Sequence, residues 1–332
     1  MRMVSMNQST ALTYSSFGKP LDVIQLEERP VPDPGNGEVK LRLLAAPVHP
    51  SDIGMILGKY GKLPDLPAVG GREGVAEVVE TGSGVDSLKV GDRVVVPGSA
   101  GSWQTLVTVP AADLMVVPNE IPVEMAAMVM VNPPTAWRIL RDAHLDDGDW
   151  VVQNAANSAV GLHVIEMAQH LGLKTLNVVR REELVEPLLK HGGDVVVLED
   201  SGYEKKVAAL TGGEPVKLAL NSVGGESALR LVNALSEDGT HVTFGAMTFD
   251  AVRFPTRQLI FNGLEMKGFW MDKWLRGQSK ARVQVMFDKI FDLMGKGIVK
   301  PSVESTYSID DYKNAFETVA KPRLGKVLFR FD

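Results

Sequence analysis

Residues 153–161 (QNAANSAVG) join an apolar run, Trp150 to Asn154, to an amphipathic stretch, and they consist almost wholly of small and hydrogen-bonding residues. A strand, a tight turn and a helix start in that order leave backbone N–H groups free at the positive end of a helix dipole, where a pyrophosphate can be held. A G-x-G-x-x-G frame would fall on Ala156, Ser158 and Gly161, and only the last glycine is kept. The turn therefore fits a dinucleotide site by position, while an ordinary small-residue turn in another doubly wound protein stays open. Arg180 and Arg181 close the next apolar run, and no Asp or Glu occurs from Asn177 to Arg181. An NAD site places an acid there for the ribose 2′-hydroxyl; a guanidinium pair matches a 2′-phosphate instead, so the pair favours NADPH over NADH. His49 and Glu73 are the only residues near the expected cleft that could ligate a metal. Two ligands are too few for zinc, and the chain has no cysteine. The expectation is no metal, with His49 a hydrogen-bonded residue at a strand end.

These residues need a scaffold. From Ala11 to about residue 120, short apolar runs (Val39 to Ala46, Val75 to Val79, Val94 to Val96) alternate with turn signals such as PVPDPGNGE, TGSG and KVGDRVVVPGSAG, the pattern of an irregular, barrel-like β domain. From about Ile121 strands alternate with helices. Val160, Val164, Ile165, Ala168 and Leu171 share one helical face ahead of Gly172. TLNVV, VVVL, KLALNS, THVTF and LEMKGFW follow as strands, with helices expected near 183–191, 203–210 and 227–235. Repeated β-α-β units imply a parallel, doubly wound sheet. A long amphipathic helix from Lys280 to Met294, a helix from Asp310 and a last strand, GKVLFRF, complete the chain, with the tail returning to the first domain.

The 332 residues are 45% hydrophobic and 23% charged, enough apolar surface for a compact core and against disorder. A formal charge of −6 lacks the footprint of a nucleic-acid binder. The absence of cysteine excludes disulfides, thiol nucleophiles and iron-sulfur clusters, so any redox chemistry needs a dissociable cofactor. No apolar stretch approaches the length of a membrane span. The opening MRMVSMNQSTALTY is acid-free and Ser/Thr-rich, yet holds one Arg and no apolar signal core. The expected location is cytoplasmic, with mitochondria the alternative for a eukaryotic source.

The blocks VHPSDIGMILGKYGKLPDLPAVGGREGVAEVVETGSGV, VNPPTAWRIL, VVQNAANSAVG, LNVVRR, NSVGG and MKGFW run in the same order as in the mitochondrial-type trans-2-enoyl thioester reductases, which this chain resembles from about Ala11 to Phe331. That family is a zinc-free branch of the medium-chain dehydrogenase/reductase superfamily. The resemblance implies a GroES-like catalytic domain (1–124 and 273–332) and a Rossmann NADPH-binding domain (125–272). It implies NADPH-dependent reduction of enoyl-CoA or enoyl-acyl-carrier-protein in fatty acid synthesis, and a homodimer. Tyr60 of GKYGKLP takes the family's proton-donor position: hydride delivered to the β-carbon leaves an enolate whose α-carbon must be protonated, and a phenol is protonated at neutral pH. The implied cofactor shell is Asn132, then Asn157, Ser158, Ala159 and Val160 around the pyrophosphate, with Arg180 and Arg181 at the 2′-phosphate. Phe244, Gly245, Ala246 and Met247, Phe269, Trp270 and Met271, and Lys326 complete it. Ala159 and Ala246 depart from the glycine expected in relatives. Two other functions remain open at this level: an NADPH:quinone or enone reductase on the same fold, and a non-catalytic dinucleotide-binding protein.

Overall fold

The computed structural model describes residues 7–248 and 250–331, so part of the acid-free opening segment, residues 1–6, lies outside the described residues. The elements gather into two units, one holding residues up to Val131 together with those from Lys300 onward, the other Asn132–Val299.

The first unit is organised by the strand Glu38–Pro47, in which Val39, Leu41, Leu43, Ala45 and Ala46 are fully buried. One edge pairs antiparallel with Val75–Thr81; the other pairs first with Leu106–Pro110 and then with Lys326–Arg330. The last strand of the chain thereby closes the sheet begun near its start. Val303–Tyr307 extends this sheet on one side, Arg93–Val95 and Met115–Val116 on the other. A smaller sheet orders Ile24–Pro30, Gln8–Tyr14 and Ala68–Val69. Trp103 anchors the core between them, with ring centroids 5.4 Å from Phe316 and 5.6 Å from Phe329 and its indole N–H donating to the Pro47 carbonyl at 3.1 Å. A Cβ on Gly70 would stand 2.2 Å from the indole, and one on Gly71 would meet both Trp103 and Ser102. The paired glycines of AVGGREG are thus places where an aromatic ring lies directly on backbone.

The second unit carries a six-stranded parallel sheet in the order Val195–Leu198, Lys174–Val179, Trp150–Gln153, Val216–Asn221, Thr240–Thr243, Glu265–Gly268. The chain runs outward from Trp150–Gln153 in one direction, then returns beside it with Val216–Asn221, which creates the strand-order switch where α/β proteins bind ligands. Helices Ala159–His170 and Gly225–Ala234 cross between neighbours. The expected helix near 183–191 is a 3₁₀ turn followed by Val185–Lys190, and that near 203–210 is likewise split into Tyr203–Lys205 and Val207–Thr211. Residues 273–299, grouped by sequence with the first domain, lie in this second unit. The cause is packing: helix Lys280–Gly295 buries Met286, Phe287, Ile290 and Phe291 and lies against helix Asn132–Asp142.

Candidate functional site

At the strand-order switch of the second unit, the turn after Trp150–Gln153 is held by its own side chains. Asn154 accepts from the Ser222 N–H at 2.8 Å and donates to Asn221 Oδ1 and Ser227 Oγ, both at 2.9 Å. Gln153 donates to the Gly161 carbonyl at 3.0 Å and to Asn177 Oδ1 at 2.8 Å. These bonds hold Ala155 at φ +46°, a left-handed backbone that normally requires glycine. Ser158 is the helix N-cap, its hydroxyl accepting from the Gly161 N–H at 3.1 Å, while Ala159 and Val160 begin the helix. Gly161 admits no side chain: a Cβ there would stand 2.5 Å from the Ala156 carbonyl oxygen. The one glycine kept from the fingerprint is therefore the packing glycine.

The strand ends around this turn are tied together. Phe244 N–H donates to Asn221 O and Met247 N–H to Ser222 O, each at 3.0 Å, and a Cβ on Gly245 would press on the Ser222 backbone. Ala246 and Met247 are exposed. Asn157–Val160, Asn221–Ser222 and Phe244–Met247 thus share the carboxyl end of the sheet. Arg180 is exposed just past strand Lys174–Val179, and Arg181 pairs with Glu183 at 2.9 Å. Phe269 hangs from Thr243 by a backbone bond, Trp270 stacks with Arg276 at 4.8 Å, and Met271 is buried at the start of helix Met271–Arg276. Asn132 is buried at the first position of helix Asn132–Asp142. Open N–H groups at a helix start, glycines that let loop and helix lie on backbone, and cations past the second strand fit a phosphorylated dinucleotide. Asn154, Asn221 and Ser222 carry no separate signal in the sequence beyond being polar at strand ends.

Lys326 and Tyr60 belong to the first unit. Helix Pro50–Ile56 ends in a Schellman cap: Gly58 at φ +70° donates to Met55 O at 2.9 Å, and Lys59 N–H to Gly54 O at 2.8 Å. The reversal delivers Tyr60 back against the helix, where a Cβ on Gly54 would lie 3.5 Å from the ring. Below it lies a buried charged cluster. His49 and Glu73 share a 2.5 Å hydrogen bond, and the other Glu73 oxygen accepts from the Met130 N–H at 2.8 Å. Asp52 accepts from the His49 N–H at 2.7 Å; burial raises its carboxyl above the ordinary range, against the opposing charges of His49 and Arg72. Lys326 is buried on its strand, and desolvation together with the charge of Arg323 brings its ammonium down to about 8, while Glu73 and Asp52 act in the opposite sense. His49 caps a helix rather than simply ending a strand.

An alcohol dehydrogenase GroES-like domain family matches residues 35–119, and a zinc-binding dehydrogenase family matches residues 159–290. The human mitochondrial enoyl-acyl-carrier-protein reductase is 40% identical over 320 residues, covering 94% of this chain and 86% of the human protein. The chain belongs to the enoyl-acyl-carrier-protein reductase family. Among solved structures, the complex of Etr1p with NADP and crotonyl-CoA superposes with a TM-score of 0.88 at 26% identity, covering 97% of this reductase and 99% of Etr1p. A mycobacterial quinone oxidoreductase has a TM-score of 0.85 at 26% identity over 97% and 99% of the two chains, so the fold serves both chemistries. The zinc in the second family's description does not suit this reductase, because it has no thiolate and its His49 and Glu73 are bonded to each other. Among the described residues no group of three or more His, Cys, Asp or Glu is arranged as metal ligands. The cytoplasmic expectation is corrected: the human relative and those from Xenopus tropicalis, Rattus norvegicus and Caenorhabditis elegans are all mitochondrial enzymes.

Proposed function

We infer that this reductase converts trans-2-enoyl thioesters of CoA or acyl carrier protein to saturated acyl thioesters in fatty acid synthesis, with NADPH as reductant and Tyr60 as proton donor. NADPH, when bound, supplies the hydride to the β-carbon. The chain's own part is to hold the dinucleotide, stabilise the enolate and protonate its α-carbon. Ala159 and Val160 offer N–H groups to the pyrophosphate, Arg180 and Arg181 meet the 2′-phosphate, and Asn157, Phe244 to Met247, Phe269 to Met271 and Asn132 complete the shell within the second unit. The Tyr60 O–H breaks as the α-carbon C–H forms, and the phenol recovers its proton from water. The observation that carries the reading is the kinship with enoyl-acyl-carrier-protein reductases across nearly the whole chain; the helix cap that turns Tyr60 back against Gly54 supports its role as donor.

The test is NADPH oxidation by pure protein with crotonyl-CoA, longer enoyl-CoAs and a quinone side by side. Enoyl thioesters should be turned over faster than the quinone, and Tyr60→Phe should lower enoyl turnover roughly 10²-fold with NADPH affinity kept. Faster quinone turnover would overturn the substrate class, and full activity in Tyr60→Phe would overturn the donor. A homodimer is part of the same proposal: Glu265–Gly268 is an edge strand, and Ile260 and Phe261 on the preceding helix are 66% and 73% exposed. Light scattering should give twice the chain mass, and Phe261→Glu should shift it toward the monomer; a monomeric wild type would refute it.

A further inference from the structure

We propose that Arg72 is a positioning residue for Tyr60, holding the phenol ring and stabilising the charge left on its oxygen when the proton departs. The inference rests on Tyr60 being the donor. The Arg72 guanidinium carbon lies 4.9 Å from the centroid of the Tyr60 ring, within the range in which a cation is attracted to the π face. The ring also packs against Gly54 of the helix that precedes it. It is therefore steered from two directions, by helix backbone and by a planar cation.

Arg72 is itself fixed. Gly70 and Gly71 before it lie under Trp103, and its own carbonyl oxygen lies so close to Gly98 that a Cβ there would approach to 2.8 Å. Trp103 N–H donates to Gly70 O at 2.9 Å, and Val96 N–H to Gly74 O at 2.9 Å, clamping the segment on both sides. The next residue, Glu73, is taken up by His49 and the Met130 N–H. The guanidinium also bears on Asp52, a buried carboxyl on the helix that carries Gly54. Protonating an enolate carbon from Tyr60 moves a negative charge onto the phenol, beside a cluster that already holds two buried carboxyls. A cation over the ring offsets that charge as it forms and costs no reorganisation at the moment of transfer.

The experiment is a double-mutant cycle read in kcat and KM for crotonyl-CoA, with thermal midpoints as a check on folding. Arg72→Met, which keeps the aliphatic stem, should lower kcat about tenfold, the scale of one partly desolvated cation–π contact, and leave KM within about twofold. Arg72→Lys should recover most of the loss. In the Tyr60→Phe background Arg72→Met should change kcat by less than about twofold, because the charge it stabilises no longer forms. Equal losses in both backgrounds, a loss confined to KM, or Arg72→Lys no better than Arg72→Met would overturn the inference while leaving Tyr60 as donor. Full activity in Tyr60→Phe alone would remove the donor assignment and this inference with it.

Discussion

If Arg180 and Arg181 meet the 2′-phosphate, their contributions are unequal, and the inequality follows from Glu183. A charge-assisted hydrogen bond contributes about 1.5 to 3 kcal/mol, with the lower value fitting exposed side chains. Arg180 is exposed and has no ion pair among the described residues to give up, so Arg180→Ala should reduce kcat/KM for NADPH about tenfold relative to NADH. Arg181 must first leave Glu183, to which it is bonded at 2.9 Å with side chains 38% and 64% exposed. An exposed pair of this kind contributes at most about 1 kcal/mol, which leaves a net gain of about 0.5 kcal/mol or slightly more. Arg181→Ala should therefore cost only about two- to fivefold, and Glu183→Gln should improve NADPH use about two- to fivefold by releasing the guanidinium. The assay is initial-rate kinetics with both cofactors at saturating crotonyl-CoA, at two salt concentrations. The preference for NADPH should shrink in high salt, since the contacts are solvent-exposed. Equal effects of each substitution on NADPH and NADH, or no gain from Glu183→Gln, would refute the assignment.

Lys326 sets a pH dependence of stability. Its folded-state value of about 8 lies below the ordinary lysine value, so the unfolded chain binds the proton more tightly and this residue's contribution makes the fold more stable as pH rises from about 8 to 10.5. Lys326→Met should flatten this trend in chemical denaturation, and an unchanged trend in that variant would exclude Lys326 as its source. Gly70→Ala should destabilise the first unit by about 3 kcal/mol or more, because the indole it would strike is backed by both Phe316 and Phe329. Gly148→Ala, where φ is +87° but nothing lies within 4 Å, should cost only about 1 kcal/mol; equal losses in chemical denaturation would show that the ring yields to the added methyl and does not set the requirement at Gly70.

The parallel sheet was legible because each strand is a short buried run followed by a helix with one apolar face, and the turn at Gly161 was legible because close packing leaves only glycine there. What local pattern hides is long-range compensation. Lys40 lies within a strand and is fully buried, yet it is matched by Asp33 and Glu80, and no periodicity announces partners from separate segments. Helix Lys280–Gly295 is amphipathic, but amphipathicity does not say which unit its apolar face covers, hence the shifted boundary. Tyr60 and Arg72 face each other across an irregular loop that has no period to read.

The eroded fingerprint shows the same thing at the site. A non-glycine residue in the left-handed region costs roughly 1–2 kcal/mol, and Ala155 bears that strain where a glycine would have relieved it. Asn154 sits immediately before it, with both the oxygen and the amide group bonded to residues of the neighbouring strand end and helix. Buried hydrogen bonds contribute about 1 kcal/mol each, so this side chain offsets the strain and does so from outside the six-residue frame that a motif search inspects. Ala156 and Ser158, at the two lost glycine positions, are not in the left-handed region, so neither needs glycine for its backbone conformation. The packing demand at Gly161 is backbone against backbone, which no side chain can satisfy, and that is why it alone of the three glycines persists.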